Sequence, residues 1–189
     1  SLARSEIRRS GAVTIASGGS TRRASKIVVL NVDHPDIMKF IHCNAEEEKK
    51  VRALINAGYN MYDLNNEAWF SIQYQNANNS VRVTDEFMHA VENDEKYSTH
   101  EVHSGAVAET YQARDLMREI AQAAWESGDP GMQYDTTINH WHTAPNSGRI
   151  NASNPCSEYM HVDNSACNLA SINLLHYLKS DGTFDVRGF

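Results

Sequence analysis

Asn-Ala-Ser-Asn-Pro-Cys-Ser-Glu-Tyr-Met, residues 151–160, carries most of the information about fold and chemistry in this chain. Asn154, Cys156 and Glu158 alternate within it, and in an extended backbone alternate residues point to one side. An amide, a thiol and a carboxylate on one face could combine hydrogen bonding, one-electron or nucleophilic chemistry and general-base catalysis. Pro155 lacks a backbone donor, so the stretch is predicted to be a loop or a strand end.

A second cysteine, Cys167, follows eleven residues later, near enough in sequence for a tight turn to return it beside Cys156. The alternative is that both thiols are small core residues, because free cysteine is most often simply buried. Spacing by itself leaves both interpretations open.

The remaining sequence predicts an α/β fold. The expected strands cover 27–30, 68–74 and 80–83, with an Asn-rich turn over 75–79. The expected helices cover 36–57, with a break near Asn44, then 84–91 from the N-cap Thr84, and 106–125, with the stop supplied by the turn that begins at Gly128. Strands that alternate with helices favour a mainly parallel sheet in one domain, with residues 1–10 poorly ordered.

Composition limits the function classes. The formal net charge of −7 over 189 residues argues against a nucleic-acid surface, which needs clustered Lys and Arg. No apolar run reaches the roughly 18 residues that span a bilayer, and the polar opening lacks a signal peptide's apolar core, so we expect a cytoplasmic protein. Three cysteines without dense spacing fit a reducing compartment. The two chain ends are expected to be cuts through a longer polypeptide.

Further short motifs extend from this stretch through most of the chain. They are Cys-Asn-Leu-Ala-Ser at 167–171 and segments at 18–24, 33–37, 75–88, 138–139 and 141–143. Together with 154–159, which is similar to a finger-loop signature, they resemble the ribonucleotide reductases, in detail the adenosylcobalamin-dependent class. The resemblance covers residues 11–178. It implies a ten-stranded α/β barrel of the ribonucleotide reductase and glycyl-radical enzyme type, of which 1–189 would be one part without its N- and C-terminal portions.

The resemblance implies a role for each candidate residue. Cys156 would become a thiyl radical that removes the substrate's 3′ hydrogen. Glu158 would take the 3′-hydroxyl proton, and Asn154 would hydrogen-bond the ribose hydroxyls. Cys167 would be one of two thiols that supply electrons as the 2′-hydroxyl leaves as water; in the family its partner lies upstream, where this chain has no cysteine before Gly18.

The implied reaction is reduction of ribonucleotides, with diphosphates favoured, to 2′-deoxyribonucleotides for DNA synthesis. It implies adenosylcobalamin as cofactor, a thioredoxin-like dithiol as reductant, a deoxynucleotide or ATP as allosteric effector, and a homodimer when complete. The family's second specificity loop would be formed by Gln73, Tyr74, Gln75, Asn76, Ala77, Asn78 and Asn79, with an Asn-rich surface turn as the alternative. The isolated chain is not expected to turn over, because other required segments lie outside it.

Rival interpretations remain. The large subunit of a class I reductase, which receives its radical from a second subunit, is the nearest one. A zinc module could use His140, His142 and the cysteines Cys156 and Cys167, but the spacing does not match compact Cys/His pairs, and no resident metal is expected. Glycines and arginines over 17–23 could approach a phosphate, although they lack a full P-loop, and a turn entering a strand explains them equally well. Cys43, in a helical region, is interpreted as structural.

Overall fold

The computed structural model describes residues 16–17, 22–23, 25–63, 67–74 and 76–189. Within these residues the strands are β1 Ala16–Ser17, β2 Arg22–Arg23, β3 Lys26–Asn31, β4 Ala77–Val83, β5 Lys96–His100, β6 Val107–Gln112 and β7 Gly131–Tyr134. The α-helices are α1 Ile37–Asn56, α2 Asp85–Glu92, α3 Ala113–Ser127 and α4 Asp135–His140, and short 3₁₀ helices cover Glu67–Ser71, Pro145–Ser147 and Leu174–Tyr177. The predictions for 1–10 and for the turn at 18–21 lie outside the described residues. None of the described helices is long and apolar enough to cross a membrane.

A parallel three-stranded sheet organises the chain. Its order is β3-β4-β7, so β4 is central, with Val29 of β3 opposite Ser80 and Met132 of β7 opposite Val81. The pairs β1-β2 and β5-β6 are antiparallel. The predicted α/β class and parallel sheet are therefore confirmed. The strands that the structure describes form an open sheet and do not close a barrel.

Helices cover one face of this sheet and form the main core. Val81 and Val83 of β4 are 0% and 1% exposed. They belong to a cluster with apolar residues from all three longer helices: Ile37, Phe40, Ile41, Phe87, Ala90, Ala113, Leu116, Ile120 and Ala123. Burial of this apolar surface is the main source of stability on that side of the sheet.

Helix ends follow their sequence signals. The Thr84 side chain accepts a hydrogen bond from the backbone N–H of Phe87 at 3.3 Å, as expected for an N-cap, and Gly128 ends α3 with a left-handed φ of 80°. The predicted break near Asn44 is wrong, because α1 runs through it. The Asn44 side chain instead bonds Asp129 and Asn79, so it does not compete for the helix backbone.

A strand prediction and a turn prediction in the region around the start of β4 are wrong. The stretch 68–74 contains a 3₁₀ helix, Glu67–Ser71, stabilised locally by a bond from Ser71 Oγ to the Ala68 carbonyl at 2.7 Å. Ala77–Asn79 is the start of β4 rather than a turn, because all three residues pair with β3. Pairing within the sheet overrides the low strand preference of asparagine.

The predicted helix over 106–125 begins too early. Residues Val107–Gln112 form β6, which pairs with β5 in a hairpin that the sequence analysis did not predict. Tyr97 lies opposite Tyr111, and the hydroxyls of Ser98 and Thr110 are 2.9 Å apart. These cross-strand contacts favour a strand over the helical spacing of the same apolar residues. The helix itself starts at Ala113.

Candidate active site

The face of the sheet opposite the helices is polar. Because side chains alternate along a strand, Asn78, Ser80 and Arg82 lie on this face of β4, whereas Val81 and Val83 face the helices. Gly131 of β7 is opposite Ser80, and a Cβ at that glycine would lie 2.9 Å from Ser80 Oγ. We call this surface the polar face.

Arg82 is the centre of the polar face and is only 2% exposed. Its Nε donates to Asp135 at 2.7 Å, its Nη1 to the Gln133 amide oxygen at 2.9 Å, and its Nη2 to the Ile150 carbonyl at 2.6 Å. Asp135 also bonds Arg149. The buried guanidinium is thus paired and hydrogen-bonded, as a charge in such a position requires.

The chain leading to Cys156 runs along the polar face. It contacts Arg82 through the Ile150 carbonyl, and Gln133 Nε2 donates to Ser153 Oγ at 2.7 Å. Farther along, Asn78 Nδ2 donates to the Pro155 carbonyl at 2.9 Å. These contacts attach the segment to both ends of β4.

Cys156 lies in a tight turn at the end of this segment. The Asn154 carbonyl accepts from the Ser157 N–H at 2.9 Å, and Ser157 has a left-handed φ of 64°. Asn154 Oδ1 accepts from the Tyr159 N–H at 3.0 Å, which closes the turn from its other side. The loop prediction for this stretch is confirmed.

The turn changes how the three predicted site residues are arranged. An extended stretch would place them on one face by alternation, but the turn and the left-handed Ser157 interrupt that pattern, so the extended geometry is wrong. Cys156 and Glu158 are exposed and Asn154 is half-buried. All three lie within five residues of chain on the turn that the polar face holds.

The other two cysteines have different surroundings. Cys167 is an exposed free thiol whose sulfur contacts the Asn168 carbonyl at 3.7 Å. Cys43 is half-buried on α1, and its sulfur accepts from Asn79 Nδ2 at 3.1 Å. This packing agrees with the structural role predicted for Cys43.

The predicted specificity loop is partly strand. Ala77, Asn78 and Asn79 belong to β4, so a loop could include only the residues before them, of which Gln75 lies outside the described part. Asn78 contacts the Cys156 turn from the polar face, whereas Asn79 points to α1 on the other side.

The histidines of the rival zinc interpretation pack with other groups. His142 Nε2 lies 3.2 Å from the Gly148 carbonyl, and its ring packs edge-on against His161 at 5.8 Å. Among the residues described, no group of three or more His, Cys, Asp and Glu side chains is placed to hold a metal ion.

Arg82, Gln133 and Asp135 are residues of this cluster for which the sequence predicts no role. A signal for Arg82 was present, because Asn78, Ser80 and Arg82 occupy every second position beside two valines, a pattern typical of a strand with one apolar and one polar face. No comparable signal marked Gln133 and Asp135, which join the cluster only through the sheet and the start of α4.

Comparison with known proteins identifies the family of the chain. The chain is 58% identical over 180 residues to a vitamin B12-dependent ribonucleotide reductase of Streptomyces avermitilis, covering 93% of this chain and 19% of that protein. A Rhodopirellula baltica protein of the same name is 54% identical over 177 residues, covering 93% and 17%. A vitamin B12-dependent ribonucleoside-diphosphate reductase of Mycobacterium tuberculosis is 33% identical over 174 residues, covering 92% and 22%.

The chain thus spans about a fifth of the length of these curated relatives. The family model described as "Ribonucleotide reductase, barrel domain" matches residues 6–189, nearly the whole chain. The chain therefore belongs to the ribonucleotide reductase family and lies in its barrel domain.

Proposed function

We propose that this chain carries the radical-bearing thiol, Cys156, of an adenosylcobalamin-dependent ribonucleotide reductase. The observation that carries the proposal is the turn at 154–157, which is attached to the polar face and leaves the Cys156 thiol exposed. The vitamin B12 dependence in the relatives' names supports the cofactor, and one of those names supports a diphosphate substrate. In the complete protein, the three parallel strands would be part of a ten-stranded barrel that encloses the turn.

Cys156 performs the first step in the proposed mechanism. Its thiol would give a hydrogen atom to the radical that bound adenosylcobalamin would supply, and the resulting thiyl radical removes the 3′ hydrogen of the ribose. The exposed thiol fits a cofactor held by other parts of the full-length protein, because the sulfur can be approached from outside the turn. When bound, adenosylcobalamin supplies the radical chemistry.

In the proposed mechanism Asn154 hydrogen-bonds the ribose hydroxyls and Glu158 removes a proton from one of them. Asn154 Oδ1 already accepts the Tyr159 N–H, so the side chain offers the substrate chiefly its two amide N–H donors. Glu158 is exposed two residues beyond the thiol, where its carboxylate can take the 3′-hydroxyl proton. The 2′-hydroxyl then leaves as water with a proton from one of the two reducing thiols, C2′ receives the second hydrogen, and Cys156 returns its hydrogen atom to C3′ as the thiyl radical re-forms.

Cys167 supplies reducing equivalents. Two thiols deliver two electrons when they form a disulfide, and exchange with an external dithiol such as thioredoxin restores them. Cys167 is an exposed free thiol, so it is accessible for such exchange. Its partner would be an upstream cysteine in the full-length protein.

The remaining expectations concern regulation and assembly. A deoxynucleotide or ATP effector would act through the residues before Ala77, and the bond from Asn78 to the Pro155 carbonyl links that region to the Cys156 turn. The complete enzyme would be a cytoplasmic homodimer.

The function is tested with the full-length reductase, a ribonucleoside diphosphate and a dithiol reductant. We expect 2′-deoxynucleotide to form only when adenosylcobalamin is added, and the isolated 1–189 chain to be inactive. Product formed without adenosylcobalamin, but with a second metal-containing subunit, would establish the class I alternative instead.

Peptide mapping after one turnover without external reductant tests the role of Cys167. We expect a disulfide from Cys167 to an upstream cysteine, and loss of multiple turnovers in Cys167→Ser. Cys43→Ser is the matched control and should keep turning over, because Cys43 is packed against Asn79 on the helix side of the sheet. If Cys167 is still reduced after product has formed, its redox role is wrong.

A further inference from the structure

Gln133 connects the buried arginine to the turn that carries Cys156. It is 2% exposed and lies on β7, next to Arg82 in the sheet. An arginine side chain can only donate, so the Gln133 amide oxygen must face Arg82. The amide N–H₂ therefore faces Ser153 and donates to its Oγ at 2.7 Å. Arg82 thus determines which way the Gln133 amide is oriented.

That orientation determines the hydrogen bonds inside the turn. Because Ser153 Oγ accepts from Gln133, its own proton is directed to the Asn154 carbonyl, 2.8 Å away. The same carbonyl accepts the Ser157 N–H at 2.9 Å, so two donors hold the peptide group from which the Cys156 turn begins. Ser157 Oγ lies 3.2 Å from Ser153 Oγ and adds a further contact.

We infer that Gln133 is a positioning residue. Through its hydrogen bond to Ser153 it holds the turn in the conformation that places Cys156 and Asn154 against the ribose. The inference rests on the proposed function but goes beyond it, because it assigns a role to a residue of β7 that does not reach the substrate. Loss of one such bond should lower kcat about tenfold, because even a small misplacement of a reacting group slows the chemical step.

The most informative variant is Gln133→Glu in the full-length reductase. Glutamate keeps the size of the side chain and the bond from Arg82. Its negative charge can be accommodated because two arginines of the cluster, Arg82 and Arg149, both bond the single carboxylate of Asp135. A carboxylate cannot donate, so the Ser153 hydroxyl would donate to it instead and leave the Asn154 carbonyl with one donor fewer. The fold should persist while the turn is altered.

The experiment measures kcat, KM for the nucleotide and the thermal midpoint of Gln133→Glu, Gln133→Met, Ser153→Ala and the double variant Gln133→Met with Ser153→Ala. We expect kcat to fall about tenfold in each, with KM changed less than about twofold. The double variant should lose no more than either single variant, because both belong to one chain of bonds. Gln122→Met is the matched control, since Gln122 is an exposed glutamine of α3 whose side chain bonds Glu126 on the same helix.

The outcomes separate this inference from the proposed function. Unchanged kcat in Gln133→Glu, or additive losses in the double variant, would overturn the positioning role. If kcat falls in proportion to the thermal midpoint and KM changes as well, the positioning role is also overturned, because these changes would indicate general destabilisation. Cys156→Ser is measured in parallel: if that variant still forms product, the proposed function itself fails, whatever Gln133 does.

Discussion

The two faces of β4 are built from opposite chemistry, although each contains deeply buried residues. Val81 is 0% exposed and packs among the helices, while its neighbour Arg82 is 2% exposed and hydrogen-bonds the chain that leads to Cys156. Apolar packing is non-directional and tolerates changes of shape at modest cost. Hydrogen bonds are directional, and a buried group that loses its partner is costly. One strand thus provides stability on one side and precise placement on the other.

The largest expected effect comes from Arg82→Met, which removes the charge but keeps an unbranched chain. The Gln133 amide oxygen would lose its arginine donor, the Ile150 carbonyl would keep Asn139 Nδ2 as a donor, and Asp135 would keep only Arg149 among the cations of the cluster. Breaking a buried ion pair costs about 3–5 kcal/mol. We expect that loss in the opening free energy of β4, measured by hydrogen exchange in the full-length protein, together with loss of turnover.

Arg118→Met is the matched control for that change. Arg118 pairs with Asp115 on the exposed surface of α3, where an ion pair contributes at most about 1 kcal/mol. If the two substitutions lower the opening free energy of β4 and the turnover equally, the buried Arg82 cluster does not stabilise the sheet more than a surface ion pair does.

The adjacent substitution Val81→Ala tests the other face. Removing two buried methyl groups should lower the opening free energy of β4 by about 2 kcal/mol, through lost apolar burial and a small cavity. The folded enzyme should keep its kcat, because no hydrogen bond to the Cys156 turn is changed. A tenfold loss of kcat in Val81→Ala would contradict the claim that the helix side of β4 stabilises the fold while the polar face positions the Cys156 turn.

Gly131→Ala tests how closely the strands approach on the polar face. The new Cβ would meet Ser80 Oγ at 2.9 Å, so the hydroxyl must move, at a cost of about 1 kcal/mol. Ser80→Ala should restore the lost stability, because the next nearest atoms are the Asn79 carbonyl oxygen at 3.8 Å and Ser80 Cβ at 4.0 Å. Hydrogen exchange of the single and double variants measures this, and no rescue would mean that the strain lies elsewhere.

The smallest effect concerns a polar group on the helix side, Asp129, whose pKa is raised chiefly by burial. A carboxyl with a raised folded-state pKa favours the folded state when protonated, and that contribution is lost as the pH rises through this pKa. Asp129→Asn should therefore stabilise the protein slightly at neutral pH, while Asn44 keeps an oxygen acceptor. The gain should shrink as the pH falls through the raised pKa of Asp129 and should be lost below about pH 4, where the unfolded carboxyl also protonates. Thermal midpoints against pH measure it, and a gain independent of pH would contradict burial as the cause.

The sequence predicted those parts of the fold that local patterns determine. The N-cap Thr84, the stop at Gly128 and the loop around Pro155 each follow from the preferences of the residues themselves. The hairpin β5-β6 and the strand start at Ala77 were missed, because both depend on pairing with residues distant in sequence.

The candidate site divides in the same way. Asn154, Cys156 and Glu158 could be predicted as candidates because they lie in one short motif that resembles a known family. Gln133 and Asp135 could not be predicted, because they contact Arg82 only when β7 and α4 bring them to it. The extended geometry predicted for the motif is wrong, since a left-handed Ser157 is a property of the folded turn.

The central claim is that the polar face presents Cys156 for radical chemistry, and Cys156→Ser in the full-length reductase tests it most directly. The measurement is 2′-deoxynucleotide formation with adenosylcobalamin and a dithiol, beside equilibrium binding of the ribonucleotide, with Cys43→Ser as control. We predict that Cys156→Ser lowers turnover at least about a thousandfold and leaves nucleotide binding nearly intact, because a hydroxyl hydrogen is much harder to abstract than a thiol hydrogen. Turnover in Cys156→Ser comparable to that of Cys43→Ser would contradict the account.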